Sequence, residues 1–188
     1  MGWLFKSEMT QKNQLVQELV KSSDSRRYRG SNNDDSRYYL TKCISYSLRG
    51  NILWSVMERT TFNSANDSEI ETKRFICCDI LSYSKEHRCW GYKDLQESMG
   101  PAYYSCPLSY LKKVPVADGE YAVAWREGVE NYHARKKSIR KIEVGNKVRL
   151  VDGYPQEEVV ITSLKPLAGR IGLKEYRITK RMIDNIIS

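Results

Sequence analysis

A chain of 188 residues can bury one ordinary domain, or one domain with a small appendage. Its 40% hydrophobic and 29% charged residues make a globular mixture, which excludes a disordered polymer, and no apolar run approaches the roughly 18–20 residues that cross a bilayer. The net charge of +8 is gathered at one end: residues 1–134 carry 18 Lys+Arg against 17 Asp+Glu, and residues 135–188 carry 13 against 6. Such asymmetry points to an electrostatic footprint rather than to evenly spread solubility tuning.

Met1 to Met9 include Lys6 and Glu8 and no long apolar core, so a secretory leader is not expected. Thr10 is placed to cap a first helix, in which Leu15, Val16, Leu19 and Val20 recur at helical spacing. Residues 21–36 are rich in Ser, Asn, Asp and Arg and read as an exposed loop. Three strands are expected next. Tyr38, Leu40, Ile44, Tyr46 and Leu48 share one parity, interrupted by Lys42. Arg49-Gly50-Asn51 turns the chain, and Ile52 to Met57 returns as the second arm of a hairpin. Residues 60–72 read as a long polar loop, and Arg74 to Tyr83 as a mostly apolar strand central in an antiparallel sheet.

Trp90 to Pro107 is the least regular stretch. After it, Asp118 is placed to cap a second long helix, whose Tyr121, Ala122, Trp125, Val129 and Tyr132 form a stripe expected to pack on the sheet. Arg126, Glu127 and Glu130 occupy its far face. The helix runs out into Arg135, Lys136, Lys137, Arg140 and Lys141. Beyond it, Val148 and Leu150, Val159 to Ile161, and Tyr176 with Ile178 mark short strands, punctuated by Gly153, Pro155, Pro166, Gly169 and Gly172. The expected fold class is α+β: an antiparallel sheet with packed helices over residues 1–141, then a small basic SH3-like β-barrel over residues 142–188.

Lys147 and Arg149 share a parity and project to one face of their strand. With Arg170, Lys174, Lys180 and Arg181 from neighbouring segments, and the helix end Arg135 to Lys141, they are expected to form a continuous positive surface. Duplex DNA rewards such a surface through counterion release, without sequence reading; RNA would give the same pattern. The adjacent pairs Tyr38-Tyr39 and Tyr103-Tyr104 suit base stacking, though tyrosines more often pack at a core edge. The five cysteines, Cys43, Cys77, Cys78, Cys89 and Cys106, are odd in number and lack CxxC spacing, which argues for free thiols in a reducing compartment. No metal site and no cofactor is expected. Glu71, Lys73 and Asp79 are the residues from which a metal-dependent nuclease would have to be built. In the irregular stretch, Gly91, Asp94, Glu97, Met99, Gly100, Pro101, Cys106 and Pro107 are expected to be structural: the glycines and prolines fix turns, Lys93, Asp94 and Glu97 make a local polar set, and Met99 is buried.

These residues also carry a resemblance. Gly91 to Asp94, Glu97, Met99 to Pro101, Cys106-Pro107, the later Trp125-Arg126 and the opening Met1-Gly2-Trp3-Leu4 resemble a family of uncharacterised proteins from phages, plasmids and other bacterial mobile elements. The likeness covers much of residues 1–135 and implies no catalytic residue. In size and overall likeness the chain is also similar to type II anti-CRISPR proteins that bind both an RNA-guided nuclease and duplex DNA. That resemblance implies a non-enzymatic, cytoplasmic protein of the bacterial host, with duplex DNA and a type II CRISPR nuclease as partners and no membrane; a homodimer is compatible with it. Inhibition by occupancy needs a surface and no chemistry. Three alternatives stand beside it: a plain DNA-binding accessory protein of a mobile element, the metal-dependent nuclease, and a module whose basic face meets an acidic protein.

Overall fold

The structure, a computed structural model, describes residues 2–24 and 37–187. It is mixed α+β, with two antiparallel sheets. Internal contacts divide the chain into Met1–Val129 and Glu130–Ser188. The sequence sets its boundary at residue 141; the contact division falls earlier, inside a helix.

The first unit is built on a six-stranded sheet. Its strands are β1 (Leu4–Phe5), β2 (Ser23–Asp24), β3 (Arg37–Arg49), β4 (Ile52–Asn63), β5 (Glu69–Ser84) and β6 (Cys89–Gln96), in the order β1-β6-β5-β4-β3-β2. Every neighbouring pair is antiparallel, as the hairpin turns predict. Period-two alternation lets the central strands β4 and β5 bury residues on both faces. On one face Trp54, Val56, Ile76 and Cys78 meet Tyr110 of α2 (Leu108–Lys113) and Trp125 and Val129 of α3 (Glu120–Ile139). On the other, Leu53 and Leu81 meet Leu15 and Val16 of α1 (Lys12–Val20).

Several expectations are corrected. The N-cap of α1 is Gln11, one residue beyond the expected Thr10, with the Gln14 side chain accepting the Gln11 N–H at 2.9 Å. The expected loop over 21–36 opens with β2, and from residue 25 on it lies outside the described residues. The polar loop over 60–72 shrinks to a turn at 64–68, because β4 and β5 run on as a hairpin. Cross-strand threonines hold that extension: the Thr60 and Thr72 hydroxyls lie 2.8 Å apart. The parity read from Tyr38 to Leu48 does not survive, because a register shift between Cys43 and Ser45 inserts one residue. Tyr38 is therefore buried against Phe62, with ring centroids 5.0 Å apart, while Tyr46 and Leu48 lie on the opposite face and stay exposed. On α3, Ala122, Trp125 and Val129 are buried, but Tyr121 is 65% exposed, its Cβ lying beside Gly100.

Gly91 has a steric reason to be glycine. A Cβ there would lie 2.2 Å from Phe5 Cδ1 and 2.7 Å from the Leu4 carbonyl oxygen. The edge strand β1 pairs with β6 at this point, Phe5 opposite Gly91 and Leu4 opposite Tyr92. Gly91→Ala is expected to push β1 off the sheet at a cost of ~1–3 kcal/mol. Amide exchange at Leu4 and Phe5 would rise, and unchanged protection there would disprove the steric reading.

The second unit carries α3's last turns and a five-stranded antiparallel sheet of β7 (Lys147–Leu150), β8 (Val159–Leu164), β9 (Leu167–Ile171), β10 (Lys174–Arg177) and β11 (Ile183–Ile186). The order is β10-β9-β8-β7-β11, and β10 and β11 at its two ends do not pair, so no closed barrel forms. Val148, Leu150, Val159, Ile161, Ile178 and Ile183 form its core with Ile139 and Ile142 from the helix end. Among the described residues no helix is long and apolar enough to cross a membrane.

Candidate nucleic-acid interface

On β7 burial alternates strictly: Val148 and Leu150 enter the core, and Lys147 and Arg149 stay exposed on the outer face. Cross-strand registry extends that face. Lys147 is opposite Val160 on β8, Val160 is opposite Arg170 on β9, and Arg170 is opposite Glu175 on β10. Directly paired residues point to the same side of a sheet, so Lys147 and Arg170 flank Val160 on the outer face. Arg149 is opposite Asn185 on β11. Two carboxylates dilute this face: Glu158 lies 3.3 Å from Lys147, and Glu175 accepts a hydrogen bond from the Thr162 hydroxyl.

A second basic group belongs to the helix end. Lys136, Lys137, Arg140 and Lys141 are exposed, and Lys136 lies over the Tyr132 ring at 5.7 Å from its centroid. Cations in the last helical turn also offset the negative end of the helix dipole. Arg135 is different. Its guanidinium donates to the Ile183 carbonyl from Nε at 2.9 Å and from Nη2 at 2.6 Å, and to the Arg181 carbonyl at 3.1 Å. These bonds fasten the helix to the 3-10 turn Lys180–Met182, whose Lys180 and Arg181 are exposed.

The predicted cations are thus gathered in one unit but not on one continuous face. Ile139 and Ile142 pack on the core side of the sheet, from which Lys147 and Arg149 point away. The sheet stands between the two groups. Of the eleven predicted cations, ten are exposed, Arg135 is partly buried, and Lys147 alone has a carboxylate within ion-pair distance among the described residues. Sequence reasoning missed Arg177, exposed on β10, because β9 and the extent of β10 were not recognised.

The central motif proves to be a brace. Glu97 is 2% exposed and forms a two-pronged ion pair with Arg126 of α3, which also donates to the carbonyls of Leu111 at 3.1 Å and Pro115 at 2.9 Å. Ala117 N–H donates to Glu97 at 3.3 Å. Trp125 Nε1 donates to the Tyr103 carbonyl at 2.9 Å, Trp54 Nε1 to the Ser105 hydroxyl at 3.3 Å, and the two indoles lie 5.8 Å apart. Cys106 is fully buried in the same cluster, Pro101 is buried, and Pro107 precedes α2. Gly100 closes the 3-10 turn at φ +57°. Two expectations change: Glu97 reaches across to α3 rather than to Lys93 and Asp94, and Met99 is 40% exposed, its sulfur accepting the Gln96 N–H at 3.4 Å.

The residues of the nuclease alternative are not brought together. Lys73 and Glu71 pair at 3.0 Å on the exposed end of β5. Asp79 lies six residues beyond Lys73, ~20 Å along the strand. Its neighbour is Asp94, directly opposite on β6. Burial, and then Asp94, raise the Asp79 carboxyl to about 7 from 3.8. Burial raises Asp94 too, partly offset by Arg59. Because the folded state holds the Asp79 proton more tightly than the unfolded chain, its contribution is present at low pH and lost as pH rises from about 4 through about 7. The size is on the order of 4 kcal/mol. Asp79→Asn should raise stability at pH 8 and flatten the melting temperature across that window; an unchanged pH profile would show that Asp79 ionises freely.

Cys77 and Cys78 fall on opposite faces of β5, all five cysteines are free thiols, and among the described residues no group of three or more His, Cys, Asp or Glu is placed to hold a metal ion. The tyrosine pairs divide, Tyr38 buried in the sheet and Tyr103 and Tyr104 partly exposed beside α3, with the Tyr104 ring lying where a Cβ on Gly128 would be. No family model, curated protein or solved structure matches the chain.

Proposed function

We propose that the chain is a non-enzymatic, cytoplasmic anti-defence protein of the anti-CRISPR type. It grips duplex DNA through the Glu130–Ser188 unit and inhibits an RNA-guided type II nuclease by occupancy. The observation that carries the reading is the exposure of ten of the eleven predicted cations in one small unit, nine of them without a carboxylate at ion-pair distance among the described residues. Exposed cations with no ion pair to break are available to phosphates and release the counterions condensed on DNA on contact. The order β10-β9-β8-β7-β11, with a 3-10 turn before the last strand, supports a partly open SH3-like module as the scaffold. The mobile-element resemblance of residues 91–107 supplies the biological setting. Paired assays of DNA retention and nuclease inhibition test the reading. The proposal predicts both activities, without magnesium-dependent cleavage. DNA binding without inhibition would leave an accessory DNA binder, and cleavage would make the chain an enzyme.

A further inference from the structure

Leu173 is 99% exposed, more than any other large apolar residue described. It sits at the apex of the β9–β10 hairpin, in the two-residue link Gly172-Leu173 closed by the pair Ile171 and Lys174. Gly172 takes φ +57°, which supplies the tight reversal, so the turn itself has no need of a leucine. Polar residues are the usual choice at such tips, and a side chain that buries nothing contributes nothing to folding. One arm of the hairpin is also out of the core: all four residues of β10 are exposed, while Ile171 of β9 packs against that core. Exposed cations flank the tip, Arg170 on β9 and Lys174 on β10, and the Glu175 carboxylate opposite Arg170 is engaged by the Thr162 hydroxyl. An apolar apex between cationic flanks has a complementary target in duplex DNA, where phosphates line the groove and the base steps offer apolar surface.

We infer that the β9–β10 tip is a DNA wedge: Leu173 enters the minor groove and partly unstacks a base step, while Arg170 and Lys174 hold the flanking phosphates. The inference rests on the duplex-binding reading and goes beyond it, because phosphate contacts alone do not open a base step. Side chains of this kind kink DNA by roughly 20–90°. Flexible pyrimidine–purine steps should be preferred, since they are the easiest to open.

The test uses the full chain, a duplex carrying 2-aminopurine at a TA step, and a duplex labelled at both ends for distance measurement. Wild-type protein should raise the 2-aminopurine fluorescence and shorten the end-to-end distance. Leu173→Asn should melt at the wild-type temperature yet lose both signals, with affinity down about tenfold. The salt dependence of binding should be unchanged, because no cation is removed. Leu173→Met should restore the kink. An unaltered kink and affinity in Leu173→Asn would overturn the wedge while leaving duplex binding intact. Weaker nuclease capture by Leu173→Asn without DNA, with DNA bending unchanged, would overturn it in favour of a protein contact. Absence of any wild-type DNA affinity would overturn the duplex-binding reading and the wedge with it.

Discussion

Arg126→Ala is expected to lower the stability of the first unit by ~3–5 kcal/mol, because it leaves the Glu97 carboxylate buried without its partner. Glu97 is 2% exposed, and the Arg126 guanidinium also holds the carbonyls of Leu111 and Pro115. One substitution therefore releases the segment between α2 and α3 as well as the ion pair. The melting temperature should fall on the order of 10 °C, and tryptophan fluorescence should report the loosened Trp54–Trp125 pair. The double replacement Glu97→Leu with Arg126→Met should recover much of the loss, since a matched apolar pair carries no stranded charge. A fall of less than ~1 kcal/mol in Arg126→Ala would show that water reaches Glu97 and that the brace is not structural. Asp94 behaves differently from Glu97. Its carboxyl is disfavoured in the fold and faces Asp79, so Asp94→Asn should not destabilise the protein at neutral pH.

Lys147→Glu with Arg149→Glu should weaken duplex binding about a hundredfold at ~100 mM salt, for every DNA sequence alike. Both side chains lie on the outer face of β7, so the pair removes two phosphate contacts and adds two repulsive charges. The slope of log K against log salt should become shallower by about 2. The fold should be kept, since neither residue contributes to the core formed by Val148 and Leu150. Lys136→Glu with Lys137→Glu, on the helix-end group, should cost less, because the sheet separates that group from the outer face and the hairpin tip. Nuclease inhibition should fall in parallel with DNA affinity in the β7 pair. Equal losses from the two pairs would mean that the helix end shares the grip.

The antiparallel sheet was legible because its hairpin signals are local: Arg49-Gly50-Asn51 and the polar turn near Lys85 lie between apolar runs. The strand β6 was not, because Cys89, Gly91 and Asp94 break the hydrophobic alternation, and Gly91 is small for the sake of β1 rather than for its own strand. The extensions of β4 and β5 were hidden for the opposite reason. Their Thr, Arg and Glu residues are held by cross-strand polar pairs on an uncovered end, and polarity alone reads as loop. The partner of Glu97 was out of reach, since Arg126 lies 29 positions away and no periodicity links them. In the basic unit, the Lys147 and Arg149 parity was readable from the strand itself, whereas the diversion of Arg135 to backbone carbonyls depends on where Ile183 returns. The bulge at Ile44 carries no residue signature and reversed the face of half a strand.

The central claim is that the Glu130–Ser188 unit grips phosphates. Its most direct test is the affinity of the full chain for a random-sequence duplex between ~50 and ~200 mM salt. About four contacts, from Lys147, Arg149 and Arg170 on the outer face and Lys174 at the hairpin tip, predict a slope of log K against log salt near −4, and a loss of about two orders of magnitude over that range. No measurable affinity at ~50 mM salt, or affinity that does not change with salt, would contradict it.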